Sequence, residues 1–198
     1  MREPPSDDAP SLRAAEALRA FLVALGLPVD ADPELRDTPD RVARAFRDEL
    51  LDGYRSEPRD ALVDALPSTS EALVAVTHVA YASVCPHHML PSTGVAHVGY
   101  LPGGRIVGLG SVVRLIEICA HRMVLQETLG QHIADALVEH LGARAAGVVL
   151  DASHTCMIAR GERQHGARVV TQSFAGAWRN DVAARGELLH AVTLGARR

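Results

Sequence analysis

The chain has 198 residues, enough for one domain with a sizeable core, and its 22% charged and 47% hydrophobic residues exclude a disordered polypeptide. A formal charge of −4 excludes a broadly basic nucleic-acid binder, and all 20 basic side chains are arginines, so any anion site must use guanidinium forks. No apolar run approaches the roughly 18 residues of a membrane span.

The acidic, proline-rich "MREPPSDDAP" resembles neither a signal nor a transit peptide. A cytoplasmic protein that engages neither nucleic acid nor membrane is therefore expected. In that compartment the three cysteines read as thiols or metal ligands rather than disulfides.

Residues 1–10 are expected to form a disordered arm. "SLRAAEALRAFLVALG" then predicts a helix, with Ser11 as N-cap, Leu12, Ala15, Leu18, Leu22 and Leu25 at helical spacing, and Gly26 as the stop. A second helix is predicted in "RDTPDRVARAFRDELLDG", with Thr38 as N-cap, Pro39 at the first helical position and Gly53 closing it. Residues 54–70 lack periodicity and read as a connection, which makes 11–70 an N-terminal helical segment. From residue 71 to 198 the pattern becomes that of a second domain. "EALVAVTHVAYASV" and "TGVAHVGYLP" alternate like strands, and "RIVG" extends or follows their hairpin after the "LPGG" turn. Helices are predicted over 111–121 and 124–141, then strands in "AAGVVLDASH" and "RVVTQSFAGAW", and a short helix around "RGELLHAV". Two strands, two helices and two strands make an α+β pattern, an antiparallel sheet backed by helices.

The chemistry concentrates in two segments. "SVCPHHML" holds Cys85, His87 and His88 in a tight run between prolines, and "ASHTCMIARG" holds His154 and Cys156. Two thiolates and one imidazole suit Zn²⁺, and three protein ligands leave a fourth position for water, as in catalytic sites. A histidine beside such a site can carry protons. Spacing does not say which histidine would bind metal, and the residues alone equally allow buried thiols and surface imidazoles.

"DTPDRVARAF", "CPHHMLP", "VGYLP…IVGL", "LQETL" and "SHTCMIARG" stand in the order, and near the spacings, of the signatures of GTP cyclohydrolase I, and the chain resembles that family from about Leu12 to its C-terminus. The resemblance implies a tunnelling fold (T-fold), in which a four-stranded antiparallel sheet is backed by two helices and subunits close into a ring-shaped barrel. A homodecamer of two stacked pentamers is expected from it. It implies zinc ligands at Cys85, His88 and Cys156, and site histidines at His87 and His154. It also places Glu127 on the guanine edge, with Gln126 beside it among the substrate contacts, and Arg41, Arg44, Arg114 and Arg160 around a triphosphate. Read singly, Glu127 is an ordinary solvated helix residue and each arginine an ordinary surface charge; together they suit both ends of a nucleotide. The implied reaction turns GTP and water into 7,8-dihydroneopterin triphosphate and formate, with zinc-activated water attacking C8 while His154, with His87, protonates N7.

The chain departs from the family pattern in places. Pro86 stands where a glutamate is usual, Gly110 and Ser111 replace a Ser-Lys pair, Val113 sits where a small or polar residue is commoner, and Met123 replaces a proline. The missing lysine removes one charge near the phosphates. Two other readings therefore stand beside the first: a paralogue that acts on another purine nucleotide or stops at a formylated intermediate, and a non-catalytic purine-binding oligomer with structural zinc. Cys119 reads as a core thiol, and the remaining histidines as structural or surface residues.

Overall fold

The computed structural model describes residues 9–195. It forms two compact units, the first ending at Asp52 and the second beginning at Gly53. The division falls earlier than residue 70 because Ala61 and Leu62 are buried in the core of the second unit.

In the first unit, α1 spans Ala9–Ala24 and α2 spans Thr38–Ala45, followed by a π-helical turn over Phe46–Leu50. The expected arm lies over residues 1–8 outside the described residues, while Ala9 and Pro10 already belong to α1. Ser11 is thus inside the helix and not its N-cap. Gly26 ends the segment with φ 82, the left-handed backbone that glycine adopts without a Cβ penalty. The N-cap of α2 is Asp37 rather than Thr38, and its carboxylate forms no capping bond. It instead accepts from Arg41 at 3.3 Å.

A 3₁₀ turn at Asp52–Arg55 carries the chain across the boundary, and a second at Pro58–Ala61 and the short strand β1, Leu66–Pro67, follow in the second unit. Strands β2 (Val74–Val84) and β3 (Pro91–Leu101) form the expected hairpin. The "RIVG" segment does not extend it: β4, Arg105–Ile106, pairs with β1. Helices α3 (Leu109–Ala120) and α4 (Gln126–Ala136) follow, and a π-helical turn over Leu137–Leu141 ends at Gly142. Strand β5 is Ala145–His154, α5 is the single turn Thr155–Ile158, β6 is Val169–Gly176 and α6 is Gly186–Gly195.

The sheet order is β2-β3-β5-β6, antiparallel throughout, which agrees with the sheet-and-helix layout expected of a T-fold. Helix α3 lies against β2, and α4 lies against β5 and β6. The core between these layers holds Leu115, Ile116, Leu129, Ile133, Val98, Val148 and Leu150, all essentially inaccessible. The alternation of β3 explains this face: Ala96, Val98 and Tyr100 join the helices, while Gly99 points the other way. There Leu188 of α6 packs so closely over paired Gly99 and Gly147 that a Cβ on either would come within 2.6 Å of it.

Candidate metal centre and its pocket

Register brings the two distant segments together. Val84 pairs with Pro91 at the turn end of the β2–β3 hairpin, and Ser92, one residue on, pairs with His154 at the end of β5. Cys85 begins the turn that joins β2 to β3. Its N–H donates to Leu90 O at 3.0 Å, and Met89 N–H donates back to Cys85 O at 2.9 Å. Cys156 sits two residues past the end of β5's pairing, in α5. The turn and the strand end are therefore neighbours, and one ligand atom each from Cys85, His88 and Cys156 lie within 4.8 Å of one another.

The donor set fits a metal ion. Cys85 Sγ is 3.9 Å from His88 Nδ1, close to the roughly 3.5 Å that separates sulfur and nitrogen ligands around tetrahedral zinc. Burial first, and the adjacent Cys85 thiol next, push the Cys156 thiol above its ordinary pKa, with Arg160 opposing. Two crowded thiols of this kind gain from a cation between them. Arg160 lies on the far side of His88, its guanidinium 2.8 Å from Nε2. A guanidinium can only donate, so in this arrangement Nε2 accepts and Nδ1 carries the ring hydrogen toward Cys85. An imidazole that held a cation through Nδ1 would have its proton on Nε2 and would release Arg160.

A cavity of about 190 Å³ adjoins the two thiols and is lined by His87, Gln126, Glu127 and His154 among others. Helix α4 reaches it because Met123 forms a bridge to Val84 and Val124 N–H donates to Val84 O at 3.1 Å, one residue before Cys85. His87 is exposed, its ring edge-on to His88 with centroids 6.2 Å apart. Glu127 is exposed at the rim. His154 is half-buried; burial holds its pKa below the ordinary histidine value, and the Glu127 carboxylate pulls the other way.

Not every expected residue meets there. Arg114 is exposed on α3 and does not line the cavity. Arg41 and Arg44 belong to α2 in the first unit. Pro86 does line the cavity, as do Ser92 and Met157. Ser92 is buried, with its hydroxyl 2.9 Å from that of Ser83. Ser92 has no signal in the sequence, because a serine in a strand carries no motif. Gln126 is buried and fully engaged by its neighbours, a use that "LQETL" alone does not reveal. Cys119 is a core thiol, as read.

Residues 14–193 match the family GTP cyclohydrolase I. The chain is 46% identical over 169 residues to GTP cyclohydrolase 1 of Bifidobacterium longum (strain NCC 2705), covering 83% of this chain and 82% of the relative. It is 42% identical over 183 residues to GTP cyclohydrolase 1 of Corynebacterium glutamicum (strain R), covering 91% and 92%. It is also 42% identical over 185 residues to GTP cyclohydrolase 1 of Mycobacterium ulcerans (strain Agy99), covering 91% and 89%. Among solved structures it is similar to the archaeosine synthase QueF-Like in the apo form, at 17% identity and a TM-score of 0.45, over 55% of this chain and 98% of that one.

Proposed function

This chain belongs to the GTP cyclohydrolase I family, and on that premise we propose that it opens the imidazole ring of GTP with water, releases formate and recloses the product as 7,8-dihydroneopterin triphosphate. The observation that carries this reading is the gathering of Cys85, His88 and Cys156 beside a cavity that also presents His154 and Glu127.

Cys85, His88 and Cys156 would hold Zn²⁺, which supplies a nucleophilic water at neutral pH. Every remaining task falls to the chain's own groups. Glu127 accepts two N–H donors from the guanine edge and sets the depth of the base. His154, assisted by His87, delivers a proton to N7, so that attack at C8 leaves a neutral nitrogen. Arg41, Arg44, Arg114 and Arg160 neutralise the triphosphate, and holding both ends keeps C8 in place through ring opening and reclosure. Gly110 and Ser111 remove one cation from this set, so GTP binding rests more heavily on the arginines. The catalyst acts in the cytoplasm as a homodecamer, its sheets closing into a barrel.

Incubation of the zinc-loaded protein with GTP tests the reading. Formate should appear together with pterin fluorescence after oxidation. Formate without a pterin signal would favour a reaction that stops early, and tight nucleotide binding with neither product would make the protein a binder.

A further inference from the structure

Gln126 opens α4 and borders the cavity, yet it is only 5% exposed. Its amide nitrogen reaches Val169 O at 2.8 Å, Leu150 O at 3.2 Å and Thr171 Oγ1 at 3.2 Å. Two of these partners are backbone carbonyls, which can only accept. The reversed amide would set its own oxygen against both carbonyls with no proton between them, so the orientation is forced. It leaves Gln126 Oε1 2.7 Å from His154 Nε2. An amide oxygen has no proton to give. His154 Nε2 is therefore the donor and carries the ring hydrogen.

We propose that Gln126 is a positioning residue for His154: it keeps a hydrogen on Nε2 and leaves Nδ1 as the atom that first takes up a proton and then passes it to a ligand. Gln126 does this in place of contacting the substrate. Its amide ties β5, β6 and α4 together through the same bonds that aim the oxygen, so the imidazole takes its direction from the scaffold. Leucine at this position would fill the space without orienting the ring. Glutamate would keep an oxygen for His154 but turn the other against the Leu150 and Val169 carbonyls. Only the rate consequence rests on the ring-opening reading; the tautomer does not.

Neutron diffraction from deuterated crystals of the unaltered, zinc-loaded protein reads the proton directly. A deuteron on His154 Nε2, directed at Gln126 Oε1, is the expected result. A bare Nε2 with the deuteron on Nδ1 would overturn the proposal. For Gln126→Leu, kcat for formate release should fall roughly 10- to 100-fold, the scale on which groups that orient site imidazoles act, with KM for GTP within about threefold of the parent and zinc content unchanged. A raised KM with kcat preserved would make Gln126 a substrate contact and sink the positioning role. Should the parent protein release no formate, the functional reading fails while the neutron map still decides the tautomer. The map decides it equally if the leucine variant does not fold.

Discussion

Cys119 lies in the core, where burial pushes its thiol up to about 12 against the opposing pull of Arg122, so it stays protonated at physiological pH. Cys85 and Cys156 are only partly buried and stand beside each other and an imidazole. Position, not residue type, separates an inert thiol from a ligand. Replacing Cys85 or Cys156 with alanine should therefore abolish stoichiometric zinc, measured by elemental analysis, together with formate release. His154→Ala should keep the metal and lose roughly 10²- to 10⁴-fold in turnover, the usual worth of a positioned proton carrier. Parent-rate formate release from purified His154→Ala would remove it from the mechanism. The histidines without an assigned role divide as their surroundings dictate: His97 is 5% exposed, with a pKa lowered by burial and next by His78, while His132, His140, His165 and His190 lie on or near the surface.

At the scale of elements, the site depends on how the α3–α4 connection is anchored. The Arg122 guanidinium donates to Gly53 O at 2.9 Å, Ser56 O at 2.7 Å and Ile118 O at 3.1 Å. Gly53 permits this approach, since a Cβ there would lie 2.5 Å from Ile118 O. The next residue, Met123, donates its N–H to the Tyr54 hydroxyl at 3.3 Å and bridges to Val84 beside Cys85. Arg122→Ala should lower unfolding free energy by roughly 1.5–3 kcal/mol in urea titration, the range for a charged hydrogen-bonding group that leaves its partners unpaired. Arg122→Lys should not restore it, because one ammonium cannot reproduce the planar fork over three carbonyls. Wild-type stability in the alanine variant would show that this anchor is dispensable. The sequence marked Gly53 only as the end of a helix and said nothing of Arg122. A lone arginine between two helices has no local signature, and two of its partners, Gly53 and Ser56, lie about seventy residues away in the chain.

Across the whole molecule, the four-stranded sheet leaves two edges open among the described residues, β2 beyond its pairing with β3 and β6 beyond its pairing with β5. Val170 on β6 is 58% exposed. Edges this long are normally paired or covered, and pairing between copies is how a ring would remove them. If the proposed homodecamer forms, sedimentation velocity should give a species of ten times the chain's mass. A monomer that nevertheless turned over GTP would refute both the barrel and any need for it.

The element order was legible because each segment carries its own period: apolar residues in steps of four from Leu125 to Leu141 around α4, alternation in β2 and β3, and β5 spanning the "AAGVVLDASH" segment from end to end. Short motifs in register put Cys85, His88, Cys156, His87, His154 and Glu127 forward as candidates, and the fold gathers the first three beside a cavity lined by the others. Helix starts were less so: α1 begins before Ser11, and α2 is capped at Asp37, because caps turn on a single dihedral that neighbouring polar residues can each satisfy. Strand register decided that Cys156 meets Cys85, that β4 joins β1 instead of the hairpin, and that Gln126 faces His154. Those facts depend on hydrogen-bond ladders between segments far apart in the chain. A sequence states what each segment can pair with, and the folded backbone alone selects which oxygen meets which nitrogen.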